Sequence, residues 1–165
     1  MRKIAKEVPI IDIKKPKIQK LLKDMSLALH SQGDGVAIAA PQVAKSLRIF
    51  IVSGKIFDEE FVQSKESNKN NPPTKDCHPD LIFINPVLKK ISKNKRLLEE
   101  GCLSVRPVFG SVYRATKATV EAYNECGKKF VRGGSGLLAH IFQHEIDHLE
   151  GILFTDKAKE AREVL

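Results

Sequence analysis

The chain has 165 residues, of which 42% are hydrophobic, and its 28 lysines and arginines against 20 acidic residues give a net charge of +8. This length and composition predict a single globular domain over residues 1–165. No segment approaches the roughly 18 apolar residues of a membrane span. The N-terminal MRKIAKEV has no apolar block and is unlike a secretory signal. We therefore expect a cytoplasmic protein without a membrane partner.

The three cysteines are too few, and too odd in number, for a disulfide framework, so we expect reduced thiols at Cys77, Cys102 and Cys126. The basic charge favours an anionic partner such as the ribosome. Scattered lysines are also typical of a surface that only promotes solubility. We expect no DNA partner.

The first half of the chain predicts a helix, an irregular segment, a strand and a long loop. Residues 16–30 place apolar side chains at helical spacing after a proline, which predicts an amphipathic helix. Residues 33–43 contain glycines and a proline, which predicts an irregular extended segment. The apolar run at 47–52 predicts a buried strand, and the polar, Asn- and Pro-rich region 54–80 predicts a surface loop.

The second half predicts three further strand regions and one helix. Strands are expected at 81–88 and 96–105, and residues 116–132 read as a hairpin around an Asn-Glu-Cys-Gly turn. Residues 135–151 are predicted to form a helix. Because strands and helices do not alternate as βαβ units, the predicted fold class is α+β.

The helix at 135–151 carries the first chemical motif, QHEIDHLEG at residues 143–151. Ser135 is placed to cap its N-terminus, and Gly151 is placed to end it. His144 and His148 lie one helical turn apart and can present two imidazoles to one metal ion. Glu145 lies beside them and suits a general base acting on water.

A catalytic metal site of this kind needs a third protein ligand and one open position. His140 is a poor choice, because it lies about 12 Å along the helix from His148. We expect it either to line the pocket or to be only a partly exposed residue of the helix. The third-histidine position of metzincin peptidases holds Phe154. Glu160 and Glu163 remain open as downstream ligands. Cys102, in EGCLS, is the best candidate, because a metal would hold it as a thiolate.

Three segments together resemble the peptide deformylases, which remove the formyl group from the N-terminus of nascent polypeptides. These segments are GVAIAAPQ at 35–42, EGCLS at 100–104 and QHEIDHLEG at 143–151. The family's pattern is GxGxAAxQ, EGCLS and QHExDHLxG in the same order. The resemblance implies an α+β fold in which mixed or antiparallel β-sheets surround a central C-terminal motif helix.

The resemblance also implies a catalytic role for several residues. It implies one divalent metal ion, Fe²⁺ as the native ion with Zn²⁺, Ni²⁺ or Co²⁺ as replacements. The implied ligands are Cys102, His144 and His148, and the implied general acid and base is Glu145. The Gln42 side chain and the Leu103 backbone N–H are implied as donors to the oxyanion that forms during hydrolysis.

The implied substrates are N-formylmethionyl peptides. Their backbone is expected to pair with the extended stretch at 35–37, as an added β-strand does. The methionine side chain is expected in an apolar pocket made by the first motif and the final helix. The predicted substrate-binding residues are Gly35, Val36, Ala37, Glu100 and His140.

Two departures from the family pattern keep other functions open. Ala37 replaces a glycine, and its methyl group is expected to narrow the substrate groove. Phe109 occupies the position of an arginine that docks the peptide. The alternatives are a different metallo-amidase or zincin-like peptidase, and a deformylase-like protein with weakened or lost catalysis. The C-terminal cations Lys157, Lys159 and Arg162 are candidates for contact with ribosomal RNA.

Overall fold

The computed structural model describes residues 2–58, 78–102, 104–105 and 107–163. Within these residues the chain forms two α-helices and eight β-strands. The helices are α1 (Pro16–His30) and α2 (Gly136–Leu149). The larger sheet contains β1 (Ala37–Ala39), β2 (Ile49–Val52), β3 (Leu81–Ile91), β6 (Lys117–Tyr123) and β7 (Lys129–Ser135). The smaller sheet contains β4 (Lys95–Gly101), β5 (Val108–Ala115) and β8 (Ala161–Glu163).

Both sheets are antiparallel, with strand orders β1-β2-β3-β6-β7 and β4-β5-β8. Strand β1 is therefore an edge of the larger sheet, and β4 is an edge of the smaller one. An edge strand presents backbone N–H and C=O groups that can pair with another chain. The α+β prediction, with antiparallel sheets and a C-terminal helix, is confirmed.

Helix α1 covers the predicted range and packs through one apolar face. Pro16 is its first residue, where the missing N–H of proline costs no helical hydrogen bond. The buried side chains recur at spacings of three and four residues and pack against β1 and β2: Ile18, Leu22, Met25 and Leu29. This helix therefore packs against the edge of the larger sheet, at β1 and β2.

Helix α2 also matches its prediction, except at its first turn. Ser135 occupies the N-cap position, but its side chain makes no capping hydrogen bond, so that expectation is wrong. Ser135 is instead the last residue of β7, paired with Lys117, and its extended backbone belongs to the sheet. At the other end, Gly151 has a φ of 73°, a left-handed conformation that favours glycine.

The segment predicted to be irregular, 33–43, contains more regular structure than expected. It includes β1, which pairs with β2, and a 3₁₀-helix at Ala40–Val43. The strand expected at 81–88 extends to Ile91, and the hairpin forms as β6 and β7. Cys126 lies in the turn of this hairpin, as predicted, and its side chain is exposed. No helix in the described residues is both long and apolar enough to cross a membrane.

Strands β5 and β8 have no counterpart in the sequence prediction. In β5, the inward positions include Gly110 and Arg114 rather than large apolar residues, so the alternation that marks a half-buried strand is hidden. Strand β8 has only three residues. In the predicted loop, Gly54–Phe57 forms a 3₁₀-helix, and residues 59–77, with Cys77, lie outside the described part of the chain.

The centre of the larger core is an aromatic cluster that joins the sheet to α2. The ring centroids of Phe50 and Phe83 are 4.6 Å apart, and those of Phe83 and Phe142 are 5.2 Å apart. All three side chains are fully buried. The cluster therefore packs α2, the helix that carries His144 and His148, against the larger sheet.

We predict that Phe83→Ala lowers the free energy of unfolding by about 3–5 kcal/mol, because it removes a fully buried ring that packs against Phe50 and Phe142. Urea denaturation followed by circular dichroism measures this change. Val131→Ala, on an exposed side chain, is the control and should change stability by less than about 0.5 kcal/mol. Similar losses for the two variants would contradict the assignment of this cluster as the core.

Candidate metal centre and active site

Three predicted ligand residues converge at the end of β4 and the middle of α2. Cys102 Sγ and one ring nitrogen each of His144 and His148 lie within 4.8 Å of one another. The two imidazole rings are 4.6 Å apart and nearly perpendicular, as expected for residues on successive helical turns. Cys102 Sγ lies 3.2 Å from His148 Nε2. A thiolate and two imidazoles are a donor set that suits zinc and iron.

The other residues weighed as ligands lie elsewhere. His140 lines the cavity beside the centre, and its Nε2 donates to Glu100 Oε1 at 2.7 Å. Phe154 is buried and stacks near His144, with ring centroids 6.4 Å apart. Glu160 is exposed and does not belong to the three-residue cluster, and the Glu163 side chain lies outside what the structure describes.

The Glu100 carboxylate orients the rings of His140 and His144 through hydrogen bonds. Its Oε2 accepts a hydrogen bond from His144 Nδ1 at 2.9 Å, which leaves Nε2 of His144 as the nitrogen available to a metal ion. Arg114 donates to the same carboxylate through Nε at 2.6 Å and through a terminal nitrogen at 3.0 Å. Glu100 and Arg114 are both about 3% exposed, so this ion pair is shielded from water.

The network continues from Arg114 towards the surface. Arg114 donates to Asp147 Oδ2 at 2.6 Å, and Lys157 Nζ contacts both oxygens of Asp147 at 2.6 and 2.8 Å. Sequence reasoning missed Arg114 and Asp147, and it named Lys157 only as a candidate for contact with RNA. Asp147 lies inside the HEIDH motif, but nothing in the sequence pairs it with an arginine on an unpredicted strand.

Burial alone would raise the pKa of Glu100, but the hydrogen bonds from His140, His144 and Arg114 outweigh burial and hold it well below its usual value. For Arg114, burial acts to lower the pKa. The hydrogen bonds and charges of Glu100 and Asp147 have the larger effect, so the pKa of Arg114 is raised. These contacts therefore favour the charged forms of both Glu100 and Arg114.

The pKa values of the two imidazoles of the centre are shifted in opposite directions. Burial lowers the pKa of His144, but the hydrogen bonds with Cys102 and Glu100 raise it to about 10. Burial lowers the pKa of His148 to about 3, and the charge on His144 acts in the same direction. A metal ion and a proton compete for the same ring nitrogen, so binding of the ion releases the proton from His144.

Glu145 lies beside the ligands and is only 4% exposed. Burial raises its pKa to about 7; the charge on His144 opposes this shift, and the charge on Glu100 adds to it. Among the described residues, Glu145 Oε2 has no hydrogen-bond partner. A buried carboxyl group with a free oxygen and a pKa near neutrality has the properties of a general acid and base.

Gln42 approaches the centre from the larger sheet. Its Oε1 accepts a hydrogen bond from the Ala39 N–H at 2.7 Å, which orients the amide. Its Nε2 then points to Ser104 Oγ at 3.1 Å and to Cys102 Sγ at 3.6 Å. Ser104 was not predicted as a site residue. Leu103, whose backbone N–H was predicted to join Gln42, lies outside the described residues.

A cavity of about 370 Å³ opens beside the centre. The edge of the larger sheet forms one wall, and the last residues of β4 form the opposite wall. The five predicted substrate-binding residues all line it: Gly35, Val36, Ala37, Glu100 and His140. The lining also includes Phe109 and Leu137, which are exposed, and His144 and Glu145, which are less exposed.

Comparisons with known proteins agree on one family. The family model described as Polypeptide deformylase matches residues 1–164. The chain belongs to this family. A peptide deformylase of Desulfitobacterium hafniense is 42% identical over 155 residues, which cover 93% of this chain and 86% of the relative. Peptide deformylase 2 of Clostridium acetobutylicum is 36% identical over 160 residues, covering 97% and 89%.

Solved structures of deformylases have the same fold. A class I type b peptide deformylase from Acinetobacter baumannii bound to Met-Ala-Ser superposes with a TM-score of 0.77 at 30% identity, covering 94% of this chain and 91% of that one. The Synechococcus elongatus enzyme in complex with actinonin gives 0.76 at 29% identity, covering 96% and 73%. The chain is thus a metal-dependent hydrolase of the deformylase family.

We predict that Arg114→Ala lowers the free energy of unfolding by about 3–5 kcal/mol, because it leaves the buried Glu100 carboxylate without its cation. Urea denaturation measures the change. Arg96→Ala, on an exposed arginine of β4, is the matched control and should cost less than about 0.5 kcal/mol. An Arg114 variant as stable as the control would show that Glu100 does not depend on this guanidinium.

Proposed function

We propose that this chain hydrolyses the N-formyl group of N-formylmethionyl peptides and releases formate and a free N-terminal amine. The observation that carries the proposal is the convergence of Cys102, His144 and His148 beside the buried Glu145, which lines the cavity. Family membership gives the same reaction class.

Cys102, His144 and His148 would hold one divalent metal ion. The donor set fits such an ion, because Glu100 already orients His144 through Nδ1 and the Cys102 sulfur lies beside His148 Nε2. When bound, the ion is a Lewis acid that makes a water molecule acidic near neutral pH and polarises the formyl oxygen. We propose Fe²⁺ as the native ion, with Zn²⁺, Ni²⁺ or Co²⁺ able to replace it.

Glu145 would move the proton of the reaction. Its carboxylate takes a proton from the attacking water, whose oxygen forms a bond to the formyl carbon. The same carboxyl group then gives the proton to the peptide nitrogen as the C–N bond breaks. The buried position of Glu145 and its pKa of about 7 support both steps, since each form is populated near neutral pH.

Gln42 would stabilise the negative charge that develops on the formyl oxygen. Its Oε1 is already held by the Ala39 N–H, so its Nε2 is oriented towards the centre without further ordering. We propose that the Leu103 backbone N–H is the second donor.

The peptide would lie between the two sheet edges that border the cavity. Strand β1 ends the larger sheet and β4 ends the smaller one, so an extended chain between them can pair with backbone groups on both sides. The methionine side chain would contact the apolar Val36, Leu137 and Ile141. The Acinetobacter enzyme binds Met-Ala-Ser, the product expected from such a substrate.

The alternatives receive less support from the geometry. A zincin-like peptidase with a downstream glutamate ligand would need Glu160 or Glu163, and Glu160 is exposed away from the cluster. A purely structural site would need neither an oriented Gln42 nor a buried Glu145 without a partner. Ala37 lines the cavity as a departure from the family pattern, but it is not part of the proton-transfer set.

We predict that Glu145→Ala lowers formate release from formyl-Met-Ala-Ser by about 10²- to 10⁴-fold while the protein keeps its metal. The measurement is initial rate with anaerobic Fe²⁺ or with Ni²⁺, beside metal analysis of the same samples. Glu125→Ala, in the exposed hairpin turn, is the control and should match the wild type. Equal rates for Glu145→Ala and wild type would remove the assigned role.

The same two measurements, metal content and formate release, test whether Cys102 is the sulfur ligand. Cys102→Ala should lose the bound ion, whereas the exposed Cys126→Ala should keep it. If Cys102→Ala kept both metal and activity, a ligand set without sulfur would be required.

We also propose that the protein works in the cytoplasm at the ribosome, where formylated nascent chains emerge. A thiolate ligand requires a reducing compartment, and the net charge of +8 suits an RNA partner. Lys157, Lys159 and Arg162 lie near the small sheet, although each already contacts a side chain: Asp147, Tyr113 and Glu99 respectively.

We predict that binding to purified ribosomes weakens steeply as salt concentration rises, because contacts with phosphate release counterions. Co-sedimentation over a salt series measures this. An affinity that does not change with salt would exclude an RNA contact made by these cations.

A further inference from the structure

Asp34, Gly35 and Val36 form part of the cavity wall and connect α1 to β1. The backbone of the peptide is expected to pair with this stretch. Two glycines, Gly33 and Gly35, flank Asp34, and glycine loses more backbone freedom on ordering than any other residue. The stretch therefore depends on contacts with the rest of the fold to keep one conformation.

Backbone hydrogen bonds hold this stretch at two points. The Gly35 N–H donates to the Gln32 carbonyl at 3.1 Å, and the Ser53 N–H donates to the Val36 carbonyl at 2.9 Å. The second bond continues the pairing of β1 with β2 by one residue. Neither bond reaches the Gly33 carbonyl, which lies at the start of the stretch.

The side chain of Lys55 binds the Gly33 carbonyl. Its Nζ donates to that oxygen at 3.0 Å, and the residue is only 5% exposed. Lys55 lies in the 3₁₀-helix Gly54–Phe57, between the buried Gly54 and Ile56. A buried ammonium group is tolerated where hydrogen bonds replace its lost hydration, and a charged donor makes a stronger bond than a neutral one. The bond therefore ties Gly33 to the interior of the protein.

The 3₁₀-helix that carries Lys55 is itself held in place. The Gly54 N–H donates to Asp80 Oδ1 at 3.3 Å, and Ser53 Oγ accepts a hydrogen bond from the Lys55 N–H at 3.4 Å. A Cβ on Gly54 would overlap the His78 carbonyl oxygen, so this turn packs directly on the backbone that leads into β3. The Lys55 side chain therefore extends from a fixed backbone.

We propose that Lys55 is a positioning residue for the substrate-binding edge, whose ammonium group fixes Gly33 and thereby the wall at 34–36 before the peptide binds. Lys55 is not among the described residues that line the cavity, so it acts through Gly33. A surface that is already ordered saves the entropy of ordering it on binding. Loss of the ammonium group should therefore weaken peptide binding and spare the chemical step. The inference rests on the proposed deformylase function.

The first test is Lys55→Met, which keeps an unbranched side chain and removes the donor. With the Ni²⁺-loaded enzyme and formyl-Met-Ala-Ser, we expect KM to rise about three- to tenfold, the size of one net hydrogen bond, while kcat changes by less than about twofold. Lys23→Met, on an exposed lysine of α1, is the matched control and should leave both constants unchanged. A wild-type KM in Lys55→Met, or a loss confined to kcat, would overturn the proposal.

A second substitution distinguishes positioning from a general loss of stability. A Cβ on Gly33 would meet no atom within 4 Å, and Gly33 is not among the glycines with positive φ. Alanine at this position restricts the backbone of the free loop. In the Lys55→Met background, Gly33→Ala should therefore lower KM again by about two- to fivefold. An unchanged KM would show that Lys55 does not act by ordering Gly33.

Hydrogen exchange followed by NMR tests the wild type without any variant. We expect the Gly35 N–H to be protected before peptide is added, and its protection should fall in Lys55→Met. A wild-type Gly35 N–H that exchanges as fast as in an unstructured chain would overturn the proposal, even if Lys55→Met did not fold. If instead the wild type released no formate from formyl-Met-Ala-Ser, the deformylase function would be wrong, and the exchange measurement would still decide whether this wall is ordered in advance.

Discussion

The buried carboxylate of Glu100 is the constraint on which the centre depends. It joins its own strand β4 to Arg114 on the next strand, β5, and to His140 and His144 on α2, which lie 40 and 44 residues away in the sequence. A buried anion is tolerated only where its charge is matched and its oxygens accept hydrogen bonds, and here both conditions are met. The same contacts select the ring nitrogen of His144 that faces the metal position.

The rest of the site is formed by residues from both sheets and from α2. The aromatic cluster of Phe50, Phe83 and Phe142 holds α2 against the larger sheet, and Glu100 holds the smaller sheet against the same helix. The cavity lies between these two attachments. In the function proposed above, a peptide would pair with backbone groups at its sides, and the chemistry would take place beside Glu145, which lines the same cavity.

The sequence predicted those parts of the site that have local signatures. The sequence shows the i, i+4 spacing of His144 and His148 directly, and its apolar periodicity predicts the helix that carries them. Cys102 was the best candidate once a third ligand was needed. Arg114 was not predicted, because a buried arginine at an inward position conceals the strand pattern, and its partners are 14 and 33 residues away. The Arg162–Glu99 contact, 63 residues apart, depends on β8, which is too short to predict.

X-ray absorption spectroscopy of the zinc- or cobalt-loaded protein tests the ligand set most directly, because it reads the donor atoms without relying on turnover. We expect one sulfur at about 2.3 Å and two imidazole nitrogens at about 2.0–2.1 Å, with one further light atom. A first shell without sulfur, or one with four protein ligands, would contradict the account.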